Sequence, residues 1–160
     1  GGIRIPFVIS YPEKLKKGIY KNPITSLDLV PTFVELAGGK ITNKDKLDGV
    51  NIFPYITNEI EGLPHQTMMW RFTISAGIRK GNWKLVRLPD RIPLLFNLDN
   101  DPSEQDNVAL KNMYLVKSML KELGDWDVST PHILFLEGAR WRRNQLDLYD
   151  KEYQLEQPSN

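Results

Sequence analysis

Cysteine is absent from this chain of 160 residues. Its absence excludes disulfide bonds, thiolate metal sites and cysteine nucleophiles within the chain. It assigns no compartment, because a protein without disulfides is compatible with either redox environment. Histidine is scarce as well: the chain has two, His65 and His132, and neither lies in a spacing typical of metal ligands.

Long apolar runs and a strong charge imbalance are also missing. No stretch of about 18 apolar residues occurs, so the sequence predicts no membrane span. The formal net charge is +1, which indicates no preference for a polyanion, and no nucleic-acid partner is expected. The hydrophobic content of 41% is ordinary for a folded globular protein.

Recognisable catalytic motifs are absent too. The sequence has no nucleophile elbow, no phosphate-binding glycine loop and no carboxylate pair that stands out as acid and base. The alternation of Asp99, Asp101 and Ser103 is similar to the start of a calcium-binding loop. Such a loop requires glycine at its sixth position and glutamate at its twelfth, where this chain has Glu104 and Leu110. We therefore expect no calcium site here and predict that Asp101 caps a helix.

The first part of the chain has the pattern of a strand followed by a helix. Residues 3–11 are largely apolar and predict a buried strand. Asp28 is suited to cap a buried helix over residues 28–37, and Pro31 then falls in its first turn, where a missing N–H is tolerated. The double glycine at residues 38–39 supplies the left-handed residue that ends the helix.

The following part has the period-two pattern of an antiparallel sheet. Four strands are predicted, over residues 68–72, 74–78, 83–88 and 94–98. A short glycine-containing turn joins the second and third strands, and Trp83, Leu85 and Arg87 share one face. A helix is predicted over residues 111–123, with Gly124 as its end.

The predicted fold class is therefore α/β, or α+β if the chain is taken alone. It consists of a strand–helix unit, then a small antiparallel sheet of about four strands packed by a C-terminal helix. We expect one domain over residues 1–64 and a second over residues 65–160. The last ten residues are predicted to be disordered.

Three segments of the chain resemble the C-terminal third of a type I sulfatase. They read GGIRIPF at residues 1–7, SLDLVPT at residues 26–32 and AGIRKGNWKLV at residues 76–86. The family patterns are GG-hydrophobic-R-hydrophobic-P, S-x-D-hydrophobic-x-P-T and A-hydrophobic-R-x-G-x-W-K-L. The Asp48-Gly49 dipeptide also resembles a family turn, whose expected role is to dock the apolar residues after it onto the core. The similarity covers about residues 1–110.

The resemblance implies an alkaline-phosphatase-like fold, in which residues 1–64 are the end of the α/β core. It also implies hydrolysis of sulfate esters, with a formylglycine nucleophile made in a C/S-x-P-x-R motif and a bound Ca²⁺. Those motifs are not found in this sequence. We therefore expect a C-terminal fragment that lacks the nucleophile and the metal ligands and is inactive alone. Its expected partners are the N-terminal catalytic part of the same protein and, in the whole enzyme, a sulfated small molecule or glycan.

No catalytic or metal-binding residue is assigned, and substrate binding is the role that the resemblance leaves to this part. The candidates lie at the entry to the predicted sheet: His65, Trp70 and Arg71. An arginine suits a sulfate or carboxylate through its planar donor fork, and a tryptophan suits the face of a sugar ring. Each also has a structural interpretation, as a loop histidine, a core tryptophan and a solvated strand arginine. Residues 140–143 (Arg-Trp-Arg-Arg) form a basic-aromatic cluster that could contact an anionic sugar, but Glu137 and Asp147 dilute its charge, which argues against this role.

Two other functions stay open. The C-terminal pattern also fits an alkaline-phosphatase-superfamily phosphodiesterase or phosphonate hydrolase, and it fits a non-catalytic domain that binds anionic glycans. The resembled family is often secreted, periplasmic or lysosomal, whereas the residues themselves assign no compartment. The predicted strand would expose an apolar edge without neighbours from a larger sheet. We therefore expect the isolated chain to self-associate or to rearrange over residues 1–40.

Overall fold

The chain folds into two compact units that divide between Gln66 and Thr67. A computed structural model describes residues 3–42, 44–73, 75–131, 133–134 and 137–153. The first unit contains two short helices, and the second contains a four-stranded sheet with two longer helices. None of the helices in the described ranges is long and apolar enough to cross a membrane.

The first unit is built around a short helix that follows a 3-10 turn. The turn spans Ser26–Asp28 and leads directly into α1, Leu29–Leu36. The Asp28 carboxylate accepts a hydrogen bond from the backbone N–H of Thr25 at 2.8 Å. It therefore closes the turn from its third position. Asp28 occupies the N-cap position of α1 as predicted, but its side chain makes no capping hydrogen bond to that helix. Gly38, with a φ of +84°, follows the end of the helix as predicted.

A second helix, α2, spans Phe53–Ile56 and follows a segment that packs closely on the entry to α1. Gly49 permits this approach, because a Cβ atom built there would lie 2.1 Å from the backbone oxygen of Leu27. Ile52 and Phe53 are both buried. The predicted role of the Asp48-Gly49 turn in docking apolar residues is confirmed.

The strand predicted over residues 3–11 is not formed. The segment carries no strand assignment, and the side chains of Ile5 and Val8 are 72% and 89% exposed. A strand needs a neighbouring strand for its backbone hydrogen bonds, and no strand in the described part of the chain pairs with this segment. The helix predicted to be buried also leaves Val30 and Phe33 exposed. The first unit therefore carries several exposed apolar side chains.

The second unit contains an antiparallel sheet whose strands lie in sequence order. The strands are β1 (Thr67–Phe72), β2 (Ser75–Lys80), β3 (Trp83–Arg87) and β4 (Leu94–Asn97). Each pairs antiparallel with the next. Gly81, with a φ of +56°, lies in the turn between β2 and β3. All four predicted strands are confirmed, apart from small shifts at their ends.

Helix α3 (Met113–Ser129) covers one face of this sheet and follows a 3-10 turn, Leu110–Asn112. The shared core consists of Ala76, Ile78, Leu85, Leu95, Ala109, Val116, Met119 and Leu123. The prediction that Gly124 ends the helix is wrong. Trp126 packs on the same core, and Asp127 forms ion pairs with sheet arginines. These contacts outweigh the penalty of about 1 kcal/mol for glycine inside a helix.

Helix α4 (Ala139–Tyr153) packs on the opposite face. Its side chains Leu146, Tyr149 and Tyr153 contact a cluster of Leu88, Leu94 and Phe96. The helix includes the first three of the ten residues predicted to be disordered, and residues 154–160 lie outside the described part of the chain.

The helix predicted after Asp101 does not form. The Asp101 carboxylate accepts hydrogen bonds from the backbone N–H groups of Gln105 and Asp106, at 3.0 and 2.9 Å. Glu104 has a φ of +59°, which is incompatible with a helix. The segment is instead a turn stabilised by the Asp101 carboxylate. An aspartate can accept from nearby backbone N–H groups either at the start of a helix or in a turn, so the same residue fits both conformations.

Candidate functional site

Asp28 is the buried centre of the first unit. Its Oδ2 accepts from the N–H of Thr25, and its Oδ1 accepts from the N–H of Val50 at 2.9 Å. Nε2 of His65 lies 2.8 Å from the same Oδ1. Since an ionised carboxylate only accepts hydrogen bonds, Nε2 carries a proton. His65, a predicted substrate-binding residue, is thus held in place by Asp28.

Arg71, a second predicted residue, connects β1 to the end of α3. Its guanidinium donates to Oδ1 of Asp127 at 2.7 Å and to the backbone oxygen of Pro131 at 2.6 Å. Arg87 donates to Oδ2 of Asp127 at 2.8 Å. The hydrogen bond from Arg87, opposed by partial burial and assisted by Arg71, lowers the pKa of Asp127 below its ordinary value. Arg71 is therefore ion-paired rather than solvated, which overturns the structural interpretation of this residue.

Trp70 lies on the sheet face opposite to α3, next to Arg71 but pointing to the other side. It is half-buried, and its partner on β2 is Gly77, which has no side chain. Trp70 and Arg71 belong to the second unit and His65 to the first.

A largely buried ion pair joins β3 to the turn that contains Glu104, and α4 contacts this turn. Nζ of Lys84 lies 2.6 Å from Oε2 of Glu104. The phenol of Tyr153 donates to the backbone oxygen of Glu104 at 2.7 Å. Burial and the nearby Glu104 carboxylate raise the pKa of Tyr153 to about 12, so the phenol stays a donor at neutral pH. This cluster holds α4 in place.

The tip of the β1–β2 hairpin borders two cavities. The first has a volume of about 290 Å³ and is lined by Arg71, Phe72, Thr73, Ile133, Leu134 and Glu137. The second, of about 120 Å³, is lined by Phe72, Thr73, Ser75, Leu88, Pro89, Trp141, Arg142, Gln145, Leu146 and Tyr149. The shared residue Thr73 is buried and has a φ of +51°. A left-handed conformation costs a β-branched residue about 1–2 kcal/mol, and strain of this kind concentrates at functional sites.

The described residues show no arrangement of side chains that is typical of a metal site. No group of three or more His, Asp or Glu side chains that could hold a metal ion occurs in the described ranges. Because the chain also lacks cysteine and a C/S-x-P-x-R motif, these residues do not fit a centre of Ca²⁺ and formylglycine. His132 lies outside the described residues.

The hairpin tip and its cavities could not be found from the sequence. A two-residue hairpin turn usually carries glycine, asparagine or aspartate where φ is positive, and the chain between Phe72 and Ser75 has none of them. The basic-aromatic cluster at residues 140–143 was singled out, but nothing in the sequence indicated that it would pack against this tip.

Comparisons with known proteins give the context of these features. The family model described as N-sulphoglucosamine sulphohydrolase, C-terminal, matches residues 1–127. The choline-sulfatase of Rhizobium meliloti (strain 1021) is 32% identical over 114 residues, which are 68% of this chain and 22% of that protein. The crystal structure of Ps i-CgsB has a TM-score of 0.62 at 27% identity, with 85% of this chain and 32% of that chain covered.

A third comparison bears on the alternative function. The phosphonate monoester hydrolase of Agrobacterium radiobacter has a TM-score of 0.52 at 21% identity. The match covers 69% of this chain and 26% of the hydrolase chain. At this identity the likeness shows a shared fold and nothing more. The sulfatase match extends over most of the chain, and the structural match to Ps i-CgsB covers 85% of it. The chain belongs to the family of sulfatase C-terminal regions, within the alkaline-phosphatase-like superfamily.

Proposed function

We propose that this chain works as the C-terminal region of an enzyme that hydrolyses sulfate esters. The observation that carries the proposal is the family match over residues 1–127. The described residues include no group of side chains that could hold a metal ion, and the sequence contains no C/S-x-P-x-R motif. Catalysis is therefore assigned to the N-terminal catalytic part of the same protein, and this chain is expected to be inactive alone.

We assign Ca²⁺ and formylglycine to that N-terminal part. A calcium ion bound there would neutralise charge on the sulfate group. Calcium requires six to eight oxygen ligands, and no acidic group of the necessary kind occurs in the described ranges of this chain. The role left to this chain is to bind and orient the substrate beside the catalytic centre.

We propose that three residues of this chain contribute to substrate binding. Arg71 is supported by its position on the 290 Å³ cavity, and its guanidinium has five N–H donors, of which the Asp127 and Pro131 contacts use only part. His65 contacts Asp28 through Nε2, so Nδ1 is the ring nitrogen that this carboxylate does not engage. Trp70 offers a half-exposed ring.

The proposed substrate is a sulfated small molecule or glycan. The relative Ps i-CgsB has been crystallised in complex with k-i-k-neocarrahexaose, which supports the glycan choice. An arginine beside a cavity suits the sulfate group, and an aromatic side chain suits the apolar face of a sugar ring.

The test uses the full-length gene product. We expect mass spectrometry to find a C/S-x-P-x-R peptide that carries formylglycine, and we expect the protein to release sulfate from 4-nitrophenyl sulfate. Chelation of calcium should abolish this activity, and added calcium should restore it. An unmodified serine or threonine nucleophile, with hydrolysis of a phosphonate monoester, would instead support the phosphonate hydrolase function. Sulfate release by the purified 160 residues alone would contradict the assignment of catalysis to the N-terminal part.

A further inference from the structure

The second cavity is formed jointly by the β1–β2 hairpin tip and by α4. The hairpin contributes Phe72, Thr73 and Ser75, and α4 contributes Trp141, Arg142 and Gln145 among others. Helix α4 starts at Ala139, beyond the residues that the family model matches. This wall of the cavity therefore lies outside the residues that the family model matches.

Several polar side chains on this cavity are available to a ligand. Within the described residues, the side chains of Ser75, Arg142 and Gln145 make no hydrogen bond or ion pair with another residue. A guanidinium, an amide and a hydroxyl together offer donors and acceptors in one small cavity. Binding sites for small molecules characteristically combine an apolar lining with a few convergent polar groups.

Two aromatic side chains form the apolar part of the site. The rings of Phe72 and Trp141 meet edge to face, with centroids 5.0 Å apart. They are 52% and 38% exposed, although this pair belongs to the packing between the hairpin and α4. An exposed aromatic pair beside hydroxyl-binding groups suits a sugar ring, which is apolar on its faces and polar at its edge.

The charges around the site favour an anion on the α4 side. Arg142 lines the cavity, and Arg140 and Arg143 lie on the same helix, with no ion pair to the described residues. A guanidinium fork matches the paired oxygens of a sulfate or carboxylate. Glu137 lines the neighbouring cavity and not this one. Asp150 is already paired with Arg91, at 2.7 Å, so it does not neutralise Arg142.

We infer that the hairpin tip and α4 form a binding site for an anionic sugar, with Phe72 and Trp141 against the ring and Arg142 on its sulfate or carboxylate group. The inference deepens the proposed function and rests on it for the origin of the sugar, since a sulfated glycan is the proposed substrate. The site itself belongs to this chain and can be tested without catalysis.

The experiment is calorimetric titration of the chain with glucosamine 6-sulfate, with glucosamine and inorganic sulfate as companion probes. We expect saturable binding of the sulfated sugar and weaker binding of each companion. Arg142→Gln should reduce the affinity at least about tenfold, because a charge-assisted hydrogen bond is lost. The matched control, Arg143→Gln, removes the adjacent charge on the same helix but does not line either cavity, and it should change the affinity less than about twofold.

Additional measurements distinguish a loss of folding from a loss of sugar binding. Gln145→Ala should also weaken binding while leaving the Phe72–Trp141 contact intact, so a loss of folding is not mistaken for a loss of the site. Equal binding of inorganic sulfate and the sulfated sugar would overturn the sugar assignment. Unchanged affinity in Arg142→Gln, or no saturable binding at all, would overturn the site. The sulfate release and formylglycine measurements on the full-length protein are independent of these results, so failure of the proposed function would be recognised separately.

Discussion

Nε2 of His65 lies 2.8 Å from Oδ1 of Asp28, a carboxylate with no exposed surface. The same carboxylate accepts hydrogen bonds from Thr25 and Val50. One side chain therefore ties together the entry to α1, the segment before α2 and the end of the first unit. The burial of a charge is tolerated here because both oxygens have partners.

Replacement of Asp28 by asparagine should destabilise this unit by about 1–3 kcal/mol. The asparagine side chain keeps one acceptor oxygen, and its amino group cannot accept from a backbone N–H. At least one buried donor, of Thr25 or Val50, is then left unsatisfied. Hydrogen exchange at these two amides should accelerate, and urea unfolding should report the global loss. Asp48→Asn, at an exposed position in the same unit, serves as the control and should change neither measurement. Unaltered exchange at Val50 in Asp28→Asn would contradict the role given to the carboxylate.

Gly124→Ala should stabilise the protein by about 0.5–1 kcal/mol. Gly124 lies inside α3, and a Cβ atom built there meets nothing within 4 Å. Alanine lowers the entropy of the unfolded chain without a steric penalty. Gly38→Ala provides the opposite control, because Gly38 has a φ of +84° and alanine would be strained there. Thermal melting of the two variants should therefore shift in opposite directions, and a lower melting temperature for Gly124→Ala would contradict the prediction.

The sheet could be predicted from sequence because its residues alternate and its main turn is explicit. Trp83, Leu85 and Arg87 were assigned to one face of β3, and the structure places the first two on the core shared with α3. Arg87 extends from the same face to Asp127. The local sequence pattern is enough to predict these features. In a strand that packs one face on a helix, apolar and polar side chains alternate.

The errors occur where distant contacts decide the local structure. Gly124 carries a stop signal that Trp126 and Asp127 override through contacts with the sheet. Residues 3–11 carry a strand pattern, but a strand requires a partner that the described part of this chain does not provide. Asp101 carries a cap signal, and its carboxylate stabilises a turn instead. The cavity at Thr73 depends on the packing of α4 against the hairpin, which no local pattern encodes.

Acid should destabilise the second unit through Asp127. Its pKa in the folded state is lowered, first by Arg87 and then by Arg71 against partial burial, from an unfolded value of about 3.9. A lowered folded-state pKa contributes stability that is present above the unfolded pKa and is lost as the pH falls through the folded pKa. The free energy of unfolding of the wild type should therefore decrease below about pH 4.

The variant Asp127→Asn should be less stable than the wild type by about 1–3 kcal/mol at neutral pH, because two partly buried arginines lose their charged acceptor. Its unfolding free energy should also depend less on pH below about pH 4. Asp125→Asn is a matched control on the same helix, since Asp125 forms only an exposed ion pair with Lys121. It should cost less than about 0.5 kcal/mol. Parallel pH curves for the wild type and Asp127→Asn would refute the assignment.

The isolated chain should self-associate through the exposed apolar side chains of the first unit. Ile5 and Val8 in the extended segment, and Val30 and Phe33 on α1, are all exposed. Exposed apolar patches and unpaired extended segments favour association, because burial removes apolar surface from water. Sedimentation velocity of the wild type should show species larger than the monomer, in a proportion that rises with protein concentration.

Val8→Glu should shift this equilibrium toward the monomer, since it places a charge in the middle of the extended segment. Ile19→Glu is the matched control: Ile19 is equally apolar and 88% exposed, but it lies in the loop after this segment. A similar effect of both substitutions would indicate that association depends on general hydrophobicity rather than on this segment. A strictly monomeric wild type, with residues 3–11 protected in hydrogen exchange, would show that the segment finds its partners within the chain itself.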